Sequence, residues 1–374
     1  MGQGGRRRAG KDRERDQGER QGEAAHRAHC RRQTCWNRAG WCGVHGRMKR
    51  TGPGFFVALL VFLAACGASG GSPQRSATDG GPRSEPPPTA SGDGETSGIE
   101  HPTEADAPIL VVEEVGGFAM PQMIATRVPT FALYGDGRVI MQGVQTLEFP
   151  GPALPALIER TMTEEGIQAV LEAVEDTNLF TGDLELRGAQ NFVADATDTV
   201  FRLNANGDEV TVTVYGLGLL DPEFGGNLEG VDQAEIDAHA TLSQLRDGLL
   251  TIDTSVPAGS WEEEGWQPYT PTALRLYVRD VSGEPVEGGE LPGMVRDWPT
   301  DDDPARFGEE LPVFGDGTRC GVVDGDAATA WFEELNAANQ QTLWTSDGDD
   351  RFSVLPRPLF PGEELTCPQD IASG

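Results

Sequence analysis

Phe201-Arg202-Leu203-Asn204-Ala205-Asn206-Gly207-Asp208-Glu209-Val210-Thr211-Val212-Thr213-Val214 is the stretch that decides the fold class. Phe201 and Leu203 alternate with Arg202, and Val210, Val212 and Val214 alternate with Thr211 and Thr213. A period of two places the apolar side chains on one face of a pleated strand. Between the two runs, Asn206-Gly207-Asp208 supplies residues that accept positive φ, so the pair reads as a β-hairpin.

Working outward, Phe131 to Tyr134, a Gly135-Asp136-Gly137 turn and Arg138 to Met141 read as an earlier hairpin. Thr163 is placed to cap a helix whose Ile167, Val170, Leu171 and Val174 fall at helical spacing. A further helix near 232–250 carries Ala238, Leu242, Leu245 and Leu249 on one stripe. On the far side, Leu274, Leu276 and Val278 suggest a strand, and Asp324 or Asp326 is placed to cap a helix bearing Ala328, Trp331, Phe332 and Leu335. A last hairpin reads from Leu343-Trp344 through Ser346-Asp347-Gly348-Asp349 to Phe352-Ser353-Val354-Leu355. The expectation is an α+β fold, antiparallel hairpins or sheet with about three packed helices. Strand, helix and hairpin recur in that order, which suggests two similar sub-domains at 108–255 and 256–374.

Residues 1–50 carry 14 Lys/Arg against 5 Asp/Glu, whereas residues 51–374 carry 15 Arg and 55 Asp/Glu, with no lysine after Lys49. A body this acidic repels phosphates and offers no basic stripe, so nucleic acid is excluded as a partner. The acids are spread along the chain, the pattern of a solvated surface.

Met48-Lys49-Arg50 precedes an apolar run from Phe55 to Ala65. Such a run is too short to span a ~30 Å hydrocarbon core but suits a signal peptide over 48–65. Its end, Leu63-Ala64-Ala65-Cys66, resembles the lipobox of bacterial lipoproteins. The resemblance implies a diacylglycerol on the Cys66 thiol, cleavage before it, and a location on the extracytoplasmic face of the cell membrane. More than one acyl chain gives stable anchoring. Residues 1–47 are then expected to be a mis-called, disordered N-terminal extension, with the true start at Met48. Their His26, His29, Cys30, Cys35, Cys42 and His45 lack the paired spacing of zinc ligands. Residues 66–107, rich in Gly, Ser, Pro and acids, read as the lipidated cysteine and a disordered linker.

Cys320 and Cys367 are the other cysteines of the exported part, and in that compartment they are expected to form a disulfide. Their wide separation lacks the C-x-x-C spacing of a redox pair.

Candidate chemistry is sparse. The exported part holds two histidines, His101 in the linker and His239 on a helix, too few for a histidine-based metal site. No serine sits in a strand-turn-helix elbow; Gly67-Ala68-Ser69-Gly70-Gly71 matches the letters only, beside the anchor. No phosphate-cradling loop ends in Lys-Ser/Thr, and the exported part has no lysine for a Schiff base. Two clusters have the ingredients of a carboxylate-based hydrolase of envelope polysaccharide: Trp261-Glu262-Glu263-Glu264-Gly265-Trp266, and Asp297-Trp298 with Asp301-Asp302-Asp303. Asp297, Asp301, Asp302 and Asp303 are also candidate calcium ligands, as are Asp347, Asp349 and Asp350, though neither set has EF-hand spacing. No other cofactor is expected.

Val115-Gly116-Gly117-Phe118-Ala119, the hairpin after it, and the Thr163 helix ending in Asn178-Leu179-Phe180 are similar in order to secreted bacterial lipoproteins. More weakly, residues 110–250 look like the emfourin family of metalloprotease inhibitors, which are small α+β proteins. The resemblance implies an inhibitor but carries over no inhibitory residue. The expected role is non-catalytic binding of an envelope protein or polysaccharide; the alternatives are an inhibitor and a hydrolase.

Overall fold

The computed structural model describes residues 98–191, 193–221, 228–284, 295–346 and 348–368. Cys66, the signal peptide at 48–65, the 1–47 extension and Asp347 lie outside the described residues. Eight strands form the first sheet: β1 (Pro108–Val115), β2 (Phe131–Tyr134), β3 (Arg138–Gln142), β4 (Leu157–Thr161), β5 (Leu184–Leu186), β6 (Asp198–Ala205), β7 (Asp208–Tyr215) and β8 (Gln267–Pro268). Their spatial order is β5-β7-β6-β1-β2-β3-β4-β8. All neighbours are antiparallel except β5 and β7. The hairpin read from sequence is β6 and β7, with Ala205 opposite Asp208. Asn206 and Gly207 take φ of 56° and 80° at its tip, the left-handed pair that matches strand twist.

Two helices cover one face of this sheet. In α2 (Glu164–Glu175), the Thr163 hydroxyl accepts from Gly166 N, and Glu164 and Glu165 occupy the first turn, where the helix dipole favours acids. The helix α3 (Gln233–Leu250) starts with the Asp232 carboxylate accepting from Ala234 N. Ile167, Val170, Leu171 and Val174 of α2, with Leu242, Leu245 and Leu249 of α3, bury against Phe201, Leu203, Val210, Val212 and Val214. Two short helices, α1 (Pro121–Ala125) and α4 (Ile252–Ser255), complete this half.

The second sheet holds β9 (Ala273–Asp280), β10 (Val295–Asp297), β11 (Glu309–Glu310), β12 (Arg319–Asp324), β13 (Leu343–Thr345) and β14 (Phe352–Pro358), in the order β10-β13-β14-β9-β12-β11. One helix, α5 (Gly325–Asn336), packs on it through Trp331 and Leu335. Asp324 sits at its cap position, but neither Asp324 nor Asp326 makes the expected side-chain cap bond. The mixed sheets and five helices make this an α+β fold, and three of the helices reach 12 residues or more.

The halves resemble each other in strand direction. Read across, β5-β7-β6-β1-β2-β3 and β10-β13-β14-β9-β12-β11 alternate identically, each opening on a parallel pair. The chain takes them differently: β6, first of its hairpin, lies beside β1, whereas β14, second of its hairpin, lies beside β9. The similarity of the sub-domains is therefore one of strand direction, without a shared order of connection.

The described residues form one compact unit. Tyr269 and Phe360 join Tyr134 and Ile140 in one buried cluster, and Ala125 of α1 joins Tyr277 and Leu311 in another. Arg357 of β14 is buried and donates through Nε to Arg127 O at 2.7 Å. Its two terminal nitrogens hold the Glu363 carboxylate at 2.8 and 2.7 Å. Cys320 and Cys367 form the expected disulfide, joining β12 to the C-terminal segment across 47 positions. Closing a loop of that length stabilises by at most about 4 kcal/mol on the chain-entropy model.

One expectation needs correction. Residues 98–107, with His101, do not behave as part of a disordered linker. Instead, Ile99 N donates to Gln168 Oε1 at 2.8 Å, and Ile99 O accepts from Gln168 Nε2 at 2.9 Å. His101 lies 3.2 Å from the Glu164 carboxylate. The composition of this stretch is linker-like, but one glutamine on α2 satisfies its backbone in place of a strand.

Candidate functional site

The Trp/Glu segment at 261–266 has the composition of a paired-carboxylate site, and the fold uses it as a clasp. Arg160 of β4 lies over the Trp261 ring at 4.4 Å and reaches the Asp253 carboxylate at 2.7 Å. It also donates to Glu263 O. The Glu263 carboxylate accepts from Thr161 N at 2.8 Å, and Trp266 Nε1 donates to Asp253 at 2.7 Å. The indoles of Trp261 and Trp266 meet edge to face at 5.3 Å. Glu263 therefore satisfies backbone at the sheet edge. Burial pushes the nearby Glu159 carboxyl upward against the pull of Arg138, but neither Glu159 nor any acid of this segment lines the two cavities described below.

Asp297, Asp301, Asp302 and Asp303 are not grouped as a cation cluster among the described residues. Asp303 accepts from Ala305 N at 3.0 Å, starting the single turn Pro304–Arg306. Asp297 is exposed on β10, while its neighbour Trp298 turns inward against Trp331 at 4.6 Å. Among the described residues no three His, Cys, Asp or Glu side chains are grouped to hold a metal ion. His239 is buried on α3, and neither ring nitrogen is hydrogen-bonded to a described residue. Burial lowers its pKa, and Glu235 only partly opposes this. Among the described residues no serine is hydrogen-bonded to it.

Two surface features remain. At one end of the first sheet, the β1–β2 connection and the β3–β4 connection emerge together, two strands apart, or roughly 10 Å. They are tied where Gln142 Nε2 donates to Val128 O at 3.3 Å. The first connection exposes Phe118, Met120 and Met123, and the second exposes Val144, Leu147 and Phe149; Phe118 is 89% and Phe149 76% exposed. Exposed apolar side chains on this scale mark interaction sites.

Both connections have a defined backbone. Gly116 and Gly117 take φ of 63° and 80°, and a Cβ on Gly117 would meet Thr197 Cγ2 at 2.8 Å. Arg127 Nη1 donates to Gly116 O at 2.6 Å. In the second connection the Gln145 amide donates to Gly143 O and Ala156 O and accepts from Ala156 N. A single side chain thus fastens both stems of the loop. Helix α1 places Ile124 and Ala125 against Tyr277 and Leu311, leaving Met120 and Met123 outward.

The second feature is a cavity of about 620 Å³ beneath the turn at Asn206 and Gly207, between α2 and the β6–β7 hairpin. Leu171, Phe180, Leu203 and Val210 line it, and Glu175, Asp183, Asp208 and Glu209 stand around it. A smaller cavity of about 260 Å³ lies where β1, β6 and β7 face residues 360–363. Two of its acids are matched internally, Glu113 by Arg202 and Glu363 by Arg357.

No family model, curated protein or solved structure matches the chain. Among the described residues no helix is long and apolar enough to cross a membrane. Sequence reasoning had singled out Phe118 only within the glycine motif and had not reached the loop at 143–149. The available signal was a cluster of Val144, Leu147 and Phe149 that follows neither strand nor helix period.

Proposed function

We propose that this chain is a lipid-anchored, extracytoplasmic binding protein that works without covalent chemistry and grips an envelope protein through the apolar end of its first sheet. The observation that carries the reading is the display of six large apolar side chains on two adjoining connections. A polysaccharide partner would call for hydrogen-bonding groups beside its stacking rings. Phe118, Leu147 and Phe149 instead suit the apolar centre of a protein interface. Anchoring rests on Leu63-Ala64-Ala65-Cys66, and the linker after Cys66 would let the domain search near the membrane.

The reading is tested by placing a photo-crosslinking phenylalanine analogue at Leu147 of the full chain in its native envelope, with Glu172 on the exposed side of α2 as the control position. A discrete adduct at 147, absent at 172 and weakened by Phe118→Ser, is expected. No adduct at 147, or the same smear at both positions, would overturn it. A second reading, protease inhibition, is favoured by the loop at 143–149 because Gln145 fastens both its stems, the mark of a preorganised inhibitory segment. An adduct that proves to be a secreted protease would select it.

A further inference from the structure

We propose that the cavity beneath the turn at Asn206 and Gly207 binds a small amphiphilic cation, an amine carried on an apolar chain. This goes beyond the interface proposed above and rests on a different part of the molecule. The cavity, at about 620 Å³, falls in the ~300–1,000 Å³ range of small-molecule sites. Its floor is apolar and continuous with the core: Leu171, Leu203 and Val210 are buried there, and Phe180 and Ile99 pack beside them. An alkyl chain entering it would leave water to lie against Phe180 and Ile99, the partly buried side chains of that floor.

The rim supplies the sign of charge. Glu175, Asp183, Asp208 and Glu209 line the cavity, no lysine or arginine does, and none of these four acids forms an ion pair among the described residues. The smaller cavity, which Glu209 also lines, is the contrast, since arginines within the fold neutralise Glu113 and Glu363 there. Two of the rim acids are already oriented. Asp183 accepts from Thr211 N at 2.9 Å, and Glu175 accepts from Asn206 Nδ2 at 3.3 Å. Fixed carboxylates around an apolar well select a positive head group over a negative one.

The test uses the full chain carrying Cys66→Ala, so that no acyl chain competes, and measures calorimetric binding of decylamine, decanoate and butylamine below any micelle concentration. Decylamine should bind at least about tenfold more tightly than decanoate, the ratio expected from one or two partly screened charge contacts. Butylamine, which has the charge without the chain, should bind too weakly to detect. Asp183→Asn with Asp208→Asn keeps the hydrogen-bond acceptors and should cost decylamine about tenfold. Thr181→Trp, at an exposed position on the mouth, should abolish binding of the amphiphile. Equal affinities for decylamine and decanoate would overturn the proposal. So would decylamine binding that survives Thr181→Trp, which would be adsorption to an acidic surface. None of these results bears on Leu147 or Phe118, so this proposal and the interface stand or fall separately.

Discussion

Replacing Glu363 with Gln tests how the C-terminal segment is held. The Arg357 guanidinium is almost wholly buried and spends its donors on Arg127 O, Pro358 O and both oxygens of Glu363. Glu363 also accepts from Phe360 N at 2.7 Å, fixing the ring that packs on Tyr269. The substitution turns one acceptor into an NH₂ group facing a donor and removes the only countercharge bonded to Arg357 among the described residues. Two charge-assisted bonds contribute about 1.5–3 kcal/mol each, and breaking a buried pair costs about 3–5 kcal/mol. Glu363 retains 28% side-chain exposure, so water recovers part of this and the expected loss is about 3 kcal/mol. Heat denaturation should show a midpoint lowered by roughly 6–10 °C. The double variant Arg357→Met with Glu363→Leu should recover part of the loss, because no buried charge is then left alone, although Arg127 O and Phe360 N lose their partners. A Glu363→Gln protein within 1 kcal/mol of the parent, or a double variant worse than either single one, would refute the reasoning.

Two further outcomes follow from buried groups. His239 has its folded pKa lowered, chiefly by burial, so the unfolded chain takes up its proton first. Its contribution is complete above the unfolded value near 6.5 and is lost as pH falls below it, by at most about 1.4 kcal/mol per pH unit. Urea titrations at pH 7.5 and 5.5 should therefore show a smaller acid loss in His239→Leu than in the parent, and an identical loss would discard His239 as the source. Cys320→Ser with Cys367→Ser should lower stability by up to about 4 kcal/mol without changing the sheet signal in circular dichroism. A loss below 1 kcal/mol would mean that the Arg275 bonds to Thr366 O and Glu364 O already hold the segment.

Local features were legible in the sequence because their cause is local. The turn at Asn206 and Gly207, the Thr163 cap and the leucine stripe of α3 each declare themselves within a few residues. Strand order does not: β8 and β11 are two residues each and exist only through their neighbours. The carboxylates misled for a related reason. Composition supplies residue types without partners, so Glu263 looked available for chemistry although its oxygen belongs to Thr161 N. The same holds for His101, whose composition-based linker is fastened by Gln168 and Glu164, more than sixty residues away. The apolar end was missed because its side chains project from connections, where no periodicity reports burial or exposure.

The claim on which the location depends concerns Cys66, and mass spectrometry of the membrane-purified mature chain tests it most directly. The mature chain should begin at Cys66 bearing diacylglycerol, and a Cys66→Ala chain should leave the membrane fraction and lack the lipid mass. A mature chain with an unmodified Cys66 thiol, or a Cys66→Ala chain still retained on membranes, would contradict it.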